Sequence, residues 1–373
     1  MMAQSASRER STTRLLFVSS NGVGMGHLSR LLAVARRLPD SYEAVFLTMS
    51  QALSVIAQFG FHAEYVPSQQ HTRSDMTSWN AWLRRKLDQV LDTYEIQAVV
   101  FDGNIVYSGL REAVSSRRNC QLIWIRRGMW RSDQDNSQSL LSRENVDLII
   151  EPGDVASDFD SGASAEQRQG VVFVDPIRLL DPNEVLPRDE ACRTLDLDPD
   201  ACNVLIQLGA GNNYNFVDLI GSTIETLGNS KIARPVIAEW ITSDIGLDLW
   251  PRTPRLRCFP ISRYYRAFDF TISAVGYNSF NEIIGFGVPS LLAPNLNRAM
   301  DDQSARAAFA DLHGAAVHLD HDMLPILDQV LGAMMDKERR QAMKEKCQLI
   351  AKPNGAERAA QIVVDTITQV ETP

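Results

Sequence analysis

Leu15-Leu16-Phe17-Val18-Ser19-Ser20 runs directly into Asn21-Gly22-Val23-Gly24-Met25-Gly26-His27 and then into Leu28-Ser29-Arg30-Leu31-Leu32-Ala33-Val34-Ala35. The first run is short, apolar and bounded by turn residues, which reads as a buried strand. Leu28, Leu31, Leu32, Ala35 and Leu38 recur at the i, i+3, i+4, i+7, i+10 spacing of one helical stripe. Between them, glycines at every second position allow a sharp turn and bring main-chain amides close to whatever lies at the helix start, where the dipole favours an anion. A strand, a glycine turn and a helix open a βα unit, so a parallel sheet is expected.

The alternation continues along the chain. Predicted strands over 44–48, 98–101, 121–125, 147–150 and 171–174 complete a first doubly wound domain. Asp175-Pro176-Ile177-Arg178-Leu179-Leu180-Asp181-Pro182, with Leu186-Pro187 beyond it, is too rich in proline for a helix interior and reads as a linker. Strands then resume over 204–208, 235–238, 256–259, 270–273 and 290–293, with helices over 278–286, 303–312, 323–335 and 356–370. The expected organisation is a polar tail (1–14), a first domain (15–174), a linker (175–187), a second domain (188–355) and a C-terminal helix (356–373). The fold class is α/β, two Rossmann-like doubly wound parallel sheets facing across a cleft, with ligands at the carboxyl ends of the strands.

Composition narrows the function. A length of 373 residues suits two domains of about 150 residues each. With 37 Lys plus Arg against 46 Asp plus Glu, the net charge of −9 argues against a nucleic-acid-tracking surface. Five dispersed cysteines without a Cys-x-x-Cys pair read as buried thiols of a reducing compartment. No apolar stretch approaches the roughly 20 residues of a membrane span, so the expected location is cytoplasmic, with a peripheral place at the inner face of a membrane as the alternative. Trp79 and Trp82 beside Arg84-Arg85-Lys86 would serve such a contact, but inward packing of the tryptophans is the favoured reading.

Several residues are suited to chemistry. His27 stands at the start of the first helix, where an imidazole can take a proton near neutral pH or merely bond to nearby backbone. Asp102, ending the strand 98–101, is placed either to orient that imidazole or to cap the next helix. Gly24 and Gly26 line the same edge. Gly209-Ala210-Gly211-Asn212 repeats the strand, glycine turn and helix design in the second half, and Gly276-Tyr277-Asn278-Ser279 offers amides suited to a diphosphate. Glu282 follows Asn278 by one turn and can accept both hydroxyls of a ribose. Arg126 and Arg127 follow a strand that ends at the cleft, where they would meet an anionic acceptor or form a solvated loop. The Asp-x-Asp triplets, including Asp158-Phe159-Asp160, end no strand at the cleft, and no metal site is expected.

In order and spacing these segments resemble the GT-B glycosyltransferases that use nucleotide sugars, and within them the MurG-like group with its family 28 and family 1 type donor signature. The resemblance runs from Leu15 to about Ala316. It implies that Gly276, Tyr277, Asn278 and Ser279 hold the diphosphate, Glu282 the ribose, and Asp302 with Gln303 the hydroxyls of the donor sugar. It further implies that His27 and Asp102 form a base pair of catalytic residues. The expected activity is inverting, metal-independent transfer from a UDP-sugar to a hydroxyl acceptor, whether small molecule, glycan or lipid-linked, with an anionic group allowed beside the hydroxyl. The UDP-sugar is the donor substrate, and no cofactor is expected. Ala274 and Arg306 depart from the family pattern and leave the donor sugar open. Gly24-Met25-Gly26-His27-Leu28-Ser29-Arg30 also resembles the motif of PseG-type nucleotide-sugar hydrolases, one alternative; a non-catalytic sugar-nucleotide-binding subunit is the other.

Overall fold

A computed structural model of the chain describes residues 12–20, 24–209, 216–229, 233–239, 249–298 and 300–370. Ala210, Gly211 and Asn212 of the second glycine turn lie outside the described residues, as do Asn21, Gly22 and Val23.

The first sheet is built from β1 (Thr13–Ser19), β2 (Tyr42–Thr48), β3 (His62–Tyr65), β4 (Ala98–Asp102), β5 (Gln121–Ile125), β6 (Leu148–Pro152) and β7 (Val171–Val174). They align in the order β3-β2-β1-β4-β5-β6-β7, every neighbouring pair parallel. The second sheet holds β8 (Cys202–Gln207), β9 (Ala233–Ala238), β10 (Arg255–Leu256), β11 (Phe270–Ala274), β12 (Ser290–Ala293) and β13 (Val317–His318). Its order is β10-β9-β8-β11-β12-β13, again parallel throughout. In both sheets the order reverses direction beside the first-formed strand, the point where ligands of doubly wound sheets bind.

The predicted stripe of the first helix (Gly26–Ala35) is buried, with Leu28, Leu31 and Leu32 packed in the core of the first domain. Ser29 and Arg30 are buried as well, because that helix is covered on more than one side. The C-terminal helix (Ala356–Val370) returns to the first domain, where Ala359, Ala360, Val363 and Ile367 join the same core.

The linker is not a free strap. Ile177, Leu179 and Leu180 are buried in the first domain's core. Asn354 clamps the linker, accepting from Arg178 N at 3.0 Å and donating to Asp181 at 2.7 Å. Loops after β5 and β6 also leave the first domain, and Met129, Val155 and Ala156 pack in the core of the second. Trp79 is buried, its indole N–H donating to Pro67 O at 3.1 Å, in keeping with inward packing. Among the described residues no helix is long and apolar enough to cross a membrane.

Candidate active site

Parallel pairing of β1 with β4 sets Ser19 opposite Asp102, so the carboxylate emerges at the edge from which the glycine turn departs. The next residue must be small, since a Cβ at Gly103 would lie 2.5 Å from the Ser20 hydroxyl and from the Phe101 ring. Asp102 is fully buried and caps no helix; the following one begins at Ser108. It bonds instead to His27, with 2.6 Å between Nδ1 and Oδ1. Nδ1 also lies 3.0 Å from Arg30 Nη2, which can only donate; the shorter contact, to a carboxylate that only accepts, assigns the proton to Nδ1 and leaves Nε2 as the basic nitrogen.

Arg30, one turn beyond His27, closes on the same carboxylate with Nε to Oδ2 at 2.8 Å and Nη2 to Oδ1 at 2.6 Å. Burial, the largest influence, lowers the pKa of His27, and the charges of Arg30 and Arg127 push the same way against the pull of Asp102. Burial alone would raise Asp102, but Arg30 and His27 outweigh it and hold the carboxyl below its usual range. The imidazole is therefore neutral and oriented at pH 7, with 13% of its side chain exposed.

Across the cleft, β11 leads through Val275 and Gly276 into the helix Tyr277–Phe286. No side chain caps this helix start, nor that of Gly26–Ala35. The helices Met76–Thr93, Gln303–Leu312 and Lys337–Ile350 are each capped by an aspartate, whereas Leu53–Gln58, Ser108–Ser115, Arg188–Leu195 and Leu327–Met334 also start without a side-chain cap. Helix-start amides that no side chain caps are able to donate to an anion. The two helix starts meet where Asn278 Nδ2 donates to the carbonyl of Gly26 at 3.1 Å. A pocket opens beside them, lined by Ser29 of the first domain, Leu179 of the linker, and Gln207, Phe259, Ser279 and Glu282 of the second. Burial pushes Glu282 up to about 7 against the opposing pull of Ser262 and Arg178. Gly209, at φ +84°, provides the left-handed turn after β8 that a side-chain-bearing residue would resist.

Other expected contacts are spent elsewhere. The side chain of Tyr277 is committed to protein contacts, its hydroxyl donating to Gly153 O at 2.9 Å and accepting from Ile177 N at 3.0 Å. Only its main chain stays at the helix start. Asp302 accepts from Ala305 N at 2.9 Å as the cap of its own helix. Gln303 is 3% exposed, and its carbonyl accepts from Val275 N and Asn295 N at 3.1 and 3.0 Å, bracing two loops. These bonds set Asp302 and Gln303 to structural work in this arrangement.

Arg126 corrects the expectation of an acceptor-facing cation. It is 1% exposed and donates twice to Glu151, at 3.0 and 2.5 Å, because β5 and β6 are neighbours and both side chains leave the sheet together. Arg127 does lie near His27 and pairs with Asp301 of the second domain at 3.3 Å. Asp160, from an Asp-x-Asp triplet, accepts from Met129 N at 3.1 Å and Ser164 Oγ at 3.0 Å, which holds a loop.

Two buried arginines, Arg30 of the Gly-x-Gly-His-x-x-Arg motif and Arg306, make contacts that the sequence reading did not assign. Arg30 had a signal, since it follows His27 at i+3 on the same helix face. Arg306 is fully buried, donating to Asp154 of the first domain at 2.7 Å and pairing closely with Asp301. Nothing local in the sequence marks that interdomain triad.

Residues 257–362 match the Glycosyltransferase family 28 C-terminal domain. A UDP-N-acetylglucosamine–N-acetylmuramyl-(pentapeptide) pyrophosphoryl-undecaprenol N-acetylglucosamine transferase of Porphyromonas gingivalis is 26% identical over 174 residues, 41% of this chain and 45% of that protein. The chain spans about half the length of the curated relatives it matches. Crystallised MurG of Acinetobacter baumannii superposes with a TM-score of 0.62 at 15% identity, covering 95% of this chain and 99% of that one. A UDP-GlcNAc 2-epimerase of Neisseria meningitidis, bound to UDP-GlcNAc, does so with a TM-score of 0.63 at 12% identity, over 96% and 100% of the two chains. The fold therefore places this chain in the GT-B class, as its two facing parallel sheets require. Within that class its similarity is to MurG-type proteins, and the part of the chain that matches the family 28 C-terminal domain is residues 257–362.

Proposed function

We propose that the protein is a glycosyltransferase that moves a sugar from a UDP-sugar to a hydroxyl acceptor, with inversion and without a metal. The observation that carries this reading is the oriented His27–Asp102 pair, 2.6 Å apart, set against the uncapped start of the helix Tyr277–Phe286. The family 28 domain match supports the donor half.

The acceptor hydroxyl attacks the anomeric carbon from the face opposite the diphosphate, and its proton passes to Nε2 of His27. The bond from that carbon to the phosphate oxygen breaks, and the electron pair leaves with UDP. Amides at the start of Tyr277–Phe286 meet the charge that grows there, an electrostatic role suited to fixed dipoles in a partly dry cleft. Gly276, Asn278 and Ser279 supply that turn, and Glu282 faces the ribose. Arg127 stands on the acceptor side, where it is paired with Asp301 at 3.3 Å and would meet an acceptor's phosphate or carboxylate by sharing that pair's charge.

A thermal-shift screen over nucleotide sugars, followed by UDP release with candidate acceptors, tests the reading. Free sugar produced at the same rate without any acceptor would make the protein a hydrolase. Turnover is expected to persist in EDTA, because helix-start amides do the work a metal does elsewhere. Its abolition by chelation and restoration by manganese or magnesium would overturn the donor-site assignment.

Glu282→Ala should raise the donor KM with kcat less affected, since bonds to ribose are made equally in ground and transition states. With Glu282 titrating at about 7, the carboxylate that accepts both ribose hydroxyls is lost on acidification. UDP should therefore bind more weakly at about pH 6 than at about pH 8, and the diphosphate's own ionisation near 6 adds to this. Glu282→Gln removes the first contribution and keeps the second. Calorimetry giving identical pH profiles for both proteins would show that Glu282 does not touch the nucleotide.

A further inference from the structure

Arg30 makes contacts that orienting a carboxylate does not require. It is 1% exposed, and its planar fork is divided between the two domains. Nε and Nη2 hold both oxygens of Asp102, and Nη2 also lies 3.0 Å from Nδ1 of His27. Nη1 reaches to 3.5 Å from Oδ1 of Asn278, in the first turn of the helix Tyr277–Phe286. Asn278 replies through Nδ2, donating at 3.1 Å to the carbonyl of Gly26, the residue before His27. The guanidinium also lies 5.0 Å over the ring of Tyr277, whose hydroxyl accepts from the linker amide of Ile177. A single buried cation thus joins the carboxylate that aims the base, the helix turn facing the diphosphate, and the aromatic that pins the linker.

We infer that Arg30 is a positioning residue that couples occupancy of the helix start at Gly276–Ser279 to the orientation of the His27 imidazole, through Asp102 on one side and Asn278 on the other. The inference rests on the donor site proposed above. An anion drawn onto the amides of Asn278 and Ser279 resettles that first turn. Asn278 is tied to Gly26 O and to Arg30, so a shift of the turn is passed to both. The guanidinium nitrogens share one rigid plane, and a displacement at Nη1 is felt at Nε and Nη2, hence at Asp102 and the imidazole it holds. A lysine would supply a charge to Asp102 without that shared plane.

The test uses the full chain labelled with ¹⁵N-histidine, the His27 ring resonances being identified by their loss in His27→Gln, and titrated with UDP. Saturating UDP is expected to shift the His27 ring nitrogens in the wild type. Asn278→Ala keeps the main-chain amide and Arg30→Lys keeps the charge, so both should still bind UDP within about tenfold of the wild type while losing most of that shift. In turnover each should lower kcat about tenfold, and the double variant should be no slower than the worse single one, since both cut the same link. An undiminished shift in both variants, or none in the wild type with UDP bound, overturns the coupling and leaves the donor site standing. Loss of UDP binding in Asn278→Ala assigns that side chain to the donor and also overturns it. If UDP does not bind the wild type, the donor reading fails and the coupling with it. Should Arg30→Lys not fold, Asn278→Ala decides the question.

Discussion

His27→Ala is expected to lower kcat roughly 10²- to 10⁴-fold, the contribution of a positioned general base, while UDP affinity stays close to that of the wild type. The two consequences separate because the imidazole belongs to the first domain and the diphosphate-facing amides to the second. Burial and the neighbouring Arg30 and Arg127 hold the His27 pKa below its ordinary value, so the base is neutral and competent throughout the neutral range. At saturating donor, kcat should fall only as the pH drops through that lowered value, below about 6.5, while the donor KM carries the Glu282 titration. The same shift bears on stability. The unfolded chain binds a proton at this histidine more readily than the folded one, so its contribution is whole above the unfolded pKa and is lost as the pH falls towards the folded one. UDP release with the true acceptor, beside UDP calorimetry on the same preparation, measures both parts. Full activity in His27→Ala would remove the proposed mechanism.

That His27 and Asp102 meet was legible because it depends on short-range facts: a strand ending in aspartate, a neighbouring strand ending in a glycine turn, and a parallel pairing that aligns their ends. The helix stripe of Leu28, Leu31 and Leu32 was legible for the same reason. The missed elements carry weak patterns. β3 and β13 are short edge strands, half-buried at best, with no clean alternation. The helix Lys337–Ile350 buries only Arg340, Met343 and Cys347 among its fourteen residues, so its apolar stripe is nearly invisible in the sequence.

Side-chain commitments were less legible than strands. Whether Arg126 faces solvent or an ion pair is decided by Glu151 on the adjacent strand, and whether Arg306 is exposed is decided by Asp154 in the other domain. Such cations stay buried because each finds a carboxylate there, and an unpaired one would be expelled. Asp302 and Gln303 resemble a donor-sugar motif, yet a cap and a buried amide use the same residue types for the backbone's needs. A motif fixes which atoms are present, whereas the facing domain fixes where their hydrogen bonds go.

Asp102→Asn should damage both catalysis and the fold, and the geometry says why one isosteric atom matters so much. The two carboxylate oxygens accept from three N–H donors: Arg30 Nε at Oδ2, and Arg30 Nη2 and His27 Nδ1 at Oδ1. An asparagine has one acceptor oxygen. If that oxygen faces Arg30 Nε, the amide NH₂ confronts Nη2 and donates to His27 Nδ1, which forces the proton onto Nε2 and leaves no base. If it faces Nη2 and His27, the NH₂ confronts Nε. Either orientation opposes two donors in a buried site and leaves Arg30 without its countercharge. Loss of a buried ion-pair partner typically costs about 3–5 kcal/mol, softened here by the bond that the amide oxygen retains. The tautomer change alone can lower kcat by up to about 10⁴-fold, as in other triads. Chemical denaturation and UDP release together separate the two effects. In His27→Ala/Asp102→Asn the kcat should match that of His27→Ala, because no imidazole is left to orient, while the loss of stability from the orphaned Arg30 should remain. Multiplying losses in kcat would give Asp102 a catalytic role apart from His27, and unchanged denaturation would show that Arg30 does not depend on Asp102 for its burial.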